Sequence, residues 1–253
     1  SSVTSIGDWA FVDCHRLTSI NIPSSVNSIG ESAFSGCESL TSIIIPNSVK
    51  SIGERAFNRC ESLTSITIPS SVTSIGNDAF EGCSRLTSIT IPANVSTIGA
   101  DAFRDCDALH TVNIESSTSP IKIHTQTGDW GTFYDSPLRT INLDREVNYV
   151  NAAGSAFTLD DWDEGVFANE EYDEDFTATV TLGSNVNTIW PWMFSGVRMQ
   201  NVTIPASVTS IGKEAFSYCY ILTEVTCEGA TAPTLGEDAF YDSDELERIY
   251  VPS

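Results

Sequence analysis

The feature that most limits what this chain can fold into is a 23-residue period. Ile22-Pro23, Ile45-Pro46, Ile68-Pro69 and Ile91-Pro92 recur at that step, as do Ile6-Gly7, Ile29-Gly30, Ile52-Gly53, Ile75-Gly76 and Ile98-Gly99. Phe11, Phe34, Phe57, Phe80 and Phe103 form a third column. A repeat of this length cannot bury its own apolar face, so stability comes only from stacking on its neighbours. Leu-x-x-Ile-x-Ile segments start at 17, 40, 63, 86, 109, 138, 177, 199, 222 and 246, which predicts about ten rungs. The fifth and sixth intervals are longer than the rest. Residues 116–137 and 144–176 are therefore expected to be irregular insertions within one solenoid spanning 1–253.

Within a rung, Ile20 and Ile22 alternate with Ser19 and Asn21, the period-2 pattern of a strand with one buried face. Pro23 ends the strand because it lacks a ladder donor. Val26 and Ile29 predict a second short extended piece, and Gly30 permits the bend that follows. Ala33, Phe34 and Cys37 stand at helical spacing, which predicts one or two helical turns over 31–37. The expected class is α/β and strand-dominated: a parallel sheet with short helical turns. Its core should be built from the columns of Val26, Ile29, Phe34, Leu40, Ile43 and Ile45.

The charge balance excludes some partners. Twelve Lys and Arg against 34 Asp and Glu give a net charge of −22, so the chain has little to grip nucleic acid or an anionic membrane surface. No run approaches the ~18 consecutive apolar residues of a spanning helix, so no membrane insertion is expected. The chain opens Ser1-Ser2-Val3 with no initiator Met and no signal segment, which reads as a processed product or a piece of a longer protein.

Six of the seven cysteines, Cys14, Cys37, Cys60, Cys83, Cys106 and Cys219, share one column, and Cys227 stands in a core Ile slot. A disulfide ladder is disfavoured, because stacked strands lie ~4.8 Å apart with parallel side chains whereas a disulfide needs Cβ atoms near ~3.8 Å and converging. Buried thiols acting as small apolar filler fit better. Their spacing also lacks any metal-binding pairing.

Nothing else in the sequence carries catalytic or cofactor chemistry. His15, His110 and His124 fall in different phases of the repeat, and with 33 Ser a Ser/His/Asp triad has no specificity. The chain is expected to be no enzyme, with no catalytic, cofactor or metal residues assigned. A hydrolase site in 116–176, using Asp129, Trp130 and Asp135, is the competing idea. Asp160 to Asp175 holds nine carboxylates in sixteen residues, which makes calcium a candidate ligand there, although Gly165 falls one place too early for a calcium loop. A solvated acidic insertion is the simpler reading, with Trp162, Phe167, Tyr172 and Phe176 packing part of it.

The unit Val-x-x-Ile-Gly-x-x-Ala-Phe-x-x-Cys-x-x-Leu-x-x-Ile-x-Ile-Pro, at Val49 through Pro69, closely resembles the BspA-like leucine-rich repeat. The resemblance covers 1–115 and 177–253 and fails over 116–176. It implies a right-handed, curved solenoid on secreted or cell-surface proteins, used in adhesion and binding, with no catalytic residues to carry over.

Two surfaces are candidates for that role. Outward strand slots place Ser42, Ser65, Thr67, Ser88 and Thr90 in flat hydroxyl rows suited to a protein or glycan on another cell. The ends repeat in phase, since Ser1-Ser2-Val3 matches Ser24-Ser25-Val26 and Val251-Pro252-Ser253 matches Ile22-Pro23-Ser24. Val3, Ile6, Phe11, Leu246, Ile249 and Val251 are therefore candidates for head-to-tail assembly of copies into a filament. Asn94 and Asn201 head N-glycosylation sequons, at a frequency chance alone supplies in a chain this rich in Ser and Thr. The expected function is a non-enzymatic extracellular scaffold in adhesion or self-assembly, or a monomeric binding domain for a surface protein or glycan.

Overall fold

The structure is a computed structural model that describes residues 2–124, 131–150, 166–167 and 176–252. Two parallel ladders run along the stack. The first joins β1 (Ser5–Ile6), β2 (Ser28–Ile29), β3 (Ser51–Ile52), β4 (Ser74–Ile75), β6 (Thr97–Ile98), β8 (Ile121–His124) and β10 (Val147–Val150), and resumes as β12 (Thr188–Ile189), β14 (Ser210–Ile211) and β16 (Thr234–Leu235). The second joins β5 (Ser88–Ile91), β7 (Thr111–Ile114), β9 (Thr140–Leu143) and β11 (Thr179–Leu182), and resumes as β13 (Asn201–Ile204), β15 (Glu224–Cys227) and β17 (Arg248–Tyr250). In the early rungs the second ladder is reduced to single bridges, Asn21 to Ile44 and Ile44 to Thr67. The ranges 116–137 and 144–176 contribute β8, β10, Phe133 and Phe167 to the stack, and their remaining calls at 125–130, 151–165 and 168–175 lie outside the described residues.

The expected helical turns are not there: the described residues contain no helix, and the fold is a parallel β-solenoid joined by turns. The reason lies in where the backbone N–H groups go. Ser35 N bonds Ser32 O at 3.1 Å and Cys37 N bonds Phe34 O at 3.1 Å, but Ser32, Phe34 and Gly36 donate to Glu54, Ala56 and Asn58 of the next rung, each at 2.8 Å. A helix would consume every N–H inside the segment and leave the stack without main-chain links here. Left-handed φ values turn alternate N–H groups along the stack axis: Ser32 (49°) and Gly36 (70°), then Arg55 (51°) and Arg59 (53°), then Asp78 (50°) and Gly82 (69°). For a non-glycine residue this conformation costs about 1–3 kcal/mol, which the inter-rung hydrogen bonds offset.

The core is a set of columns. Ten of the twelve phenylalanines, from Phe11 through Phe34, Phe57, Phe80, Phe103, Phe133, Phe167, Phe194 and Phe216 to Phe240, stack with centroids 5.2 to 5.8 Å apart. Rungs cannot approach this closely unless the column beside them is glycine at several levels. A Cβ on Gly53 would lie 2.6 Å from the Gly30 carbonyl, and one on Gly76 would lie 2.5 Å from Glu54 N.

All seven cysteines are free thiols, but the column is more than apolar filler. Cys37 Sγ donates to Phe11 O at 3.2 Å, Cys60 to Phe34 O at 3.2 Å, Cys83 to Phe57 O at 3.3 Å and Cys106 to Phe80 O at 3.2 Å. Ser136 and Ser243 fill the same slot and donate to Phe103 O and Phe216 O at 2.8 and 2.7 Å. The slot takes a small side chain, in most of the described rungs one with a proton to give, and Val197 fills it after Phe194.

Phe80 has a ring on each side, so Phe80→Ala should cost about 3–5 kcal/mol in denaturant unfolding, through lost transfer energy and the cavity left behind. An unchanged midpoint would refute the stacked column. Burial also pushes the Cys37 thiol up to about 11 and the Cys219 thiol up to about 12. A thiol reagent near pH 8 should therefore modify the half-buried Cys14 first and all seven only after unfolding.

Candidate binding surface

The second ladder builds an outer face. Its register aligns Ser88 with Thr111, Thr140 and Thr179, and Thr90 with Asn113, Asn142 and Thr181. Ser42, Ser65, Thr67, Ser88 and Thr90 are all exposed, so the structure brings the sequence candidates together on this face. Alternation explains it: each inward Ile or Val leaves its neighbours pointing to solvent, as the exposed-buried pattern of β5 shows. Asn142 Nδ2 donates to Asn113 Oδ1 at 2.7 Å and Asn113 Nδ2 to Thr90 Oγ1 at 3.4 Å, a polar ladder that holds these side chains in fixed rotamers. Ile44 interrupts the row and is 82% exposed.

The ends differ from the face. Val3, Ile6 and Phe11 line a hollow of about 300 Å³ with Ile20, Ile22 and Val26, although Ile6 itself is buried in the core. At the other end Ile249 is exposed on β17 and Val251 just after it, and Leu246 packs partly against the core. Val3 and Phe11 therefore stand at one extremity of the stack and Ile249 and Val251 at the other. Asn94 is exposed, yet its amide donates to Ser70 O at 2.7 Å, so a glycan there would first break a rung contact. Asn201 is exposed on β13.

Where the two ladders break, side chains bridge the gap. Glu146 Oε2 accepts from Asn187 N at 2.9 Å and Thr188 N at 3.1 Å, and its Oε1 accepts from Trp190 Nε1 at 3.0 Å. Arg145 is buried and gives its guanidinium to the carbonyls of Ser119, Ala93 and Val95. Sequence reasoning missed both residues, because Asp144-Arg145-Glu146 reads as a solvated charge run. The first ladder's glycines also leave a groove of about 530 Å³ along Gly53, Gly76 and Gly99, edged by Glu54 and Asn77 and closed by His124.

The described histidines do not come together. His15 bonds Gly36 O and Glu38, His110 bonds Pro137 O, and each is separate from the other. Among the described residues no three His, Cys, Asp or Glu side chains gather as a metal set. Asp129, Trp130 and the carboxylates of 160–175 lie outside the described residues, and Asp135 sits in a left-handed turn position.

The sequence profile of the BspA type leucine rich repeat region matches six copies over residues 4–128 and 165–253. The chain belongs to this family. A BspA-type repeat is thus the unit described above, with its Ile-Pro, Ile-Gly, Phe and Cys slots read as strand end, close approach, ring stack and carbonyl donor. The chain is similar to a leucine-rich repeat protein from Bacteroides ovatus, with 30% identity and a TM-score of 0.64 over 99% of this chain. It spans 59% of that protein's length. It is also similar to a leucine rich cell surface protein from Faecalibacterium prausnitzii, with 28% identity and a TM-score of 0.52, covering 98% of this chain and 76% of that one. Among curated proteins none matches.

The turn edge of the BspA-type stack carries its own electrostatics. Asp78 is buried against Arg55 at 3.0 Å, and Glu81 accepts from Asn58 at 2.7 Å. Burial pushes the carboxyls of Asp78, Glu81 and Asp107 above their ordinary values, and Arg55 only partly pulls Asp78 back. The folded state then holds more protons than the unfolded one, so stability is lost as pH climbs from the ordinary carboxyl values of 3.8 and 4.5 through the higher folded ones. Calorimetry should find a higher melting temperature near about pH 5 than near about pH 7.5; the reverse order would show that other groups dominate.

Proposed function

We propose that the protein is a non-enzymatic repeat scaffold that acts in adhesion at a cell surface, using the outer strand face to contact a protein or glycan of another cell. The observation that carries this reading is the outward row from Ser42 to Thr181, exposed at Ser42, Ser65, Thr67, Ser88, Thr90, Thr179 and Thr181 and half-buried at Thr111, Asn113, Thr140 and Asn142, whose spacing is set by the core beneath it and whose side chains, Ile44 apart, are small and polar. Small hydroxyls and amides give adaptable hydrogen bonding, and a rigid frame lowers the ordering cost of binding. The likeness to a Faecalibacterium prausnitzii cell surface protein supports the location.

Head-to-tail association of copies is the second reading, favoured by the apolar hollow around Val3 and Phe11 and by exposed Ile249 and Val251 at the opposite extremity. The two readings separate cleanly. Ser65→Lys, Thr67→Lys, Ser88→Lys and Thr90→Lys together should abolish binding to glycan arrays and to cultured cells while leaving the melting temperature near wild type; undiminished binding would sink the strand-face reading. Ile249→Lys should instead shift sedimentation from assemblies to monomers if copies stack, and has no effect on mass if they do not.

A further inference from the structure

The run Phe-Tyr-Asp-Ser occurs twice, at 133–136 and at 240–243. In the first copy the slot one rung earlier holds Arg104, whose guanidinium carbon lies 6.0 Å from the Tyr134 ring centroid. Arg104 and Tyr134 each directly follow a ladder phenylalanine, so the fold itself places a cation beside a tyrosine in this slot. In the second copy the slot before Tyr241 holds Ser217, whose hydroxyl is buried against Ser195 Oγ and Glu214 O, each at 2.9 Å. Among the described residues no cation lies over Tyr241.

Two more rings stand beside it. Tyr218 meets Tyr241 edge-on, with centroids 5.6 Å apart at 83°, and Tyr220 lies 6.1 Å from Tyr218 at 59°. Tyr220 and Tyr241 are each 52% exposed and Tyr218 38%. Tyr218 holds φ at 55° in a slot that Gly36, Gly82 and Gly196 fill elsewhere, a strained position for a bulky side chain and no contribution to the core.

The surroundings are acidic. Stacking of Phe216 on Phe240, with Cys219 N bonded to Ser243 Oγ at 3.2 Å, puts Asp242 in the slot of Tyr218 and Asp244 in that of Tyr220, one rung on. Both aspartates are exposed. Lys213 is engaged by Glu214 and the Trp192 ring, and Arg248, on β17, by Glu224 and Glu247. Burial, then Tyr241, Glu214 and Asp242, pushes the Tyr218 hydroxyl up, in keeping with a negative potential at the rings.

We propose that Tyr218 and Tyr241, flanked by Tyr220 and with Asp242 and Asp244 one rung on, form a subsite for an arginine side chain of a basic partner protein. The rings offer their faces to the guanidinium and the carboxylates accept its N–H groups, as Tyr134 does internally for Arg104. The subsite lies on the turn edge, so it stands or falls separately from the strand face.

The probe is a blocked Gly-Arg-Gly-Arg-Gly peptide and its citrulline counterpart, followed by calorimetric titration at low salt. Wild type should bind the arginine peptide at least about tenfold more tightly than the citrulline one. The combined Tyr218→Leu, Tyr220→Leu and Tyr241→Leu variant should weaken it about tenfold, whereas the three Tyr→Phe changes should retain most of the affinity. Asp242→Asn with Asp244→Asn leaves the rings in place and should also weaken binding, which keeps the test open if the leucine variant folds poorly. The four-lysine strand-face variant should keep a citrulline discrimination like that of wild type. Equal affinity for the citrulline peptide, no binding of either peptide, or unchanged affinity in the leucine variant would each overturn the proposal.

Discussion

Everything in this molecule depends on one rung lying directly on the next at β-sheet spacing. The phenylalanine column enforces it, because rings 5.2 to 5.8 Å apart leave no room for a rung to slip by half a side chain. Glycines answer the same demand on the backbone, and where Cys or Ser fills the slot its thiol or hydroxyl ties a rung to a phenylalanine carbonyl of the one before. A single rung owns half of every such contact. Stability therefore belongs to pairs of rungs and accumulates along the stack.

The same requirement explains the turns and the repairs. Alternate left-handed residues send N–H groups up the axis where a helix would have kept them, so local preference yields to the neighbour's carbonyl. Where the ladders break between β10 and β12, carboxylates and an indole take over the work of missing backbone bonds. Arg145 gives its guanidinium to three carbonyls in the buried layer, where charge-assisted hydrogen bonds offset the burial that lowers its pKa.

Function follows from what the stack leaves outside. A strand face of small polar groups, a glycine groove, an acidic turn edge and a cluster of tyrosines are all held by the same core, at positions the repeat dictates. Among the described residues no three His, Cys, Asp or Glu side chains gather as a metal set. Departures from the repeat mark the places to look: Ile44 in a hydroxyl row, His124 and Trp190 in the glycine column, Tyr218 in a slot of glycine, aspartate and one arginine.

The period, the columns and the inward faces were legible from residues alone, because a side chain that recurs every 23 positions and alternates with polar neighbours has only one burial pattern that satisfies every copy. Ser42, Ser65, Thr67, Ser88 and Thr90 were placed on one face by that logic. The turns were misread, since Ala33, Phe34 and Cys37 at helical spacing describe equally a helix and a turn whose alternate N–H groups leave for the next rung. Spacing along the chain carries no information on which rung receives a hydrogen bond. The roles of Arg145 and Glu146, the donor role of the Cys column and the gathering of Tyr218, Tyr220 and Tyr241 were likewise decided only by contacts between residues in different rungs. What the amino-acid sequence determined is the repeat and its buried faces; what the tertiary structure decided is every interaction that crosses from one rung to another, because proximity there is set by stacking and not by chain order.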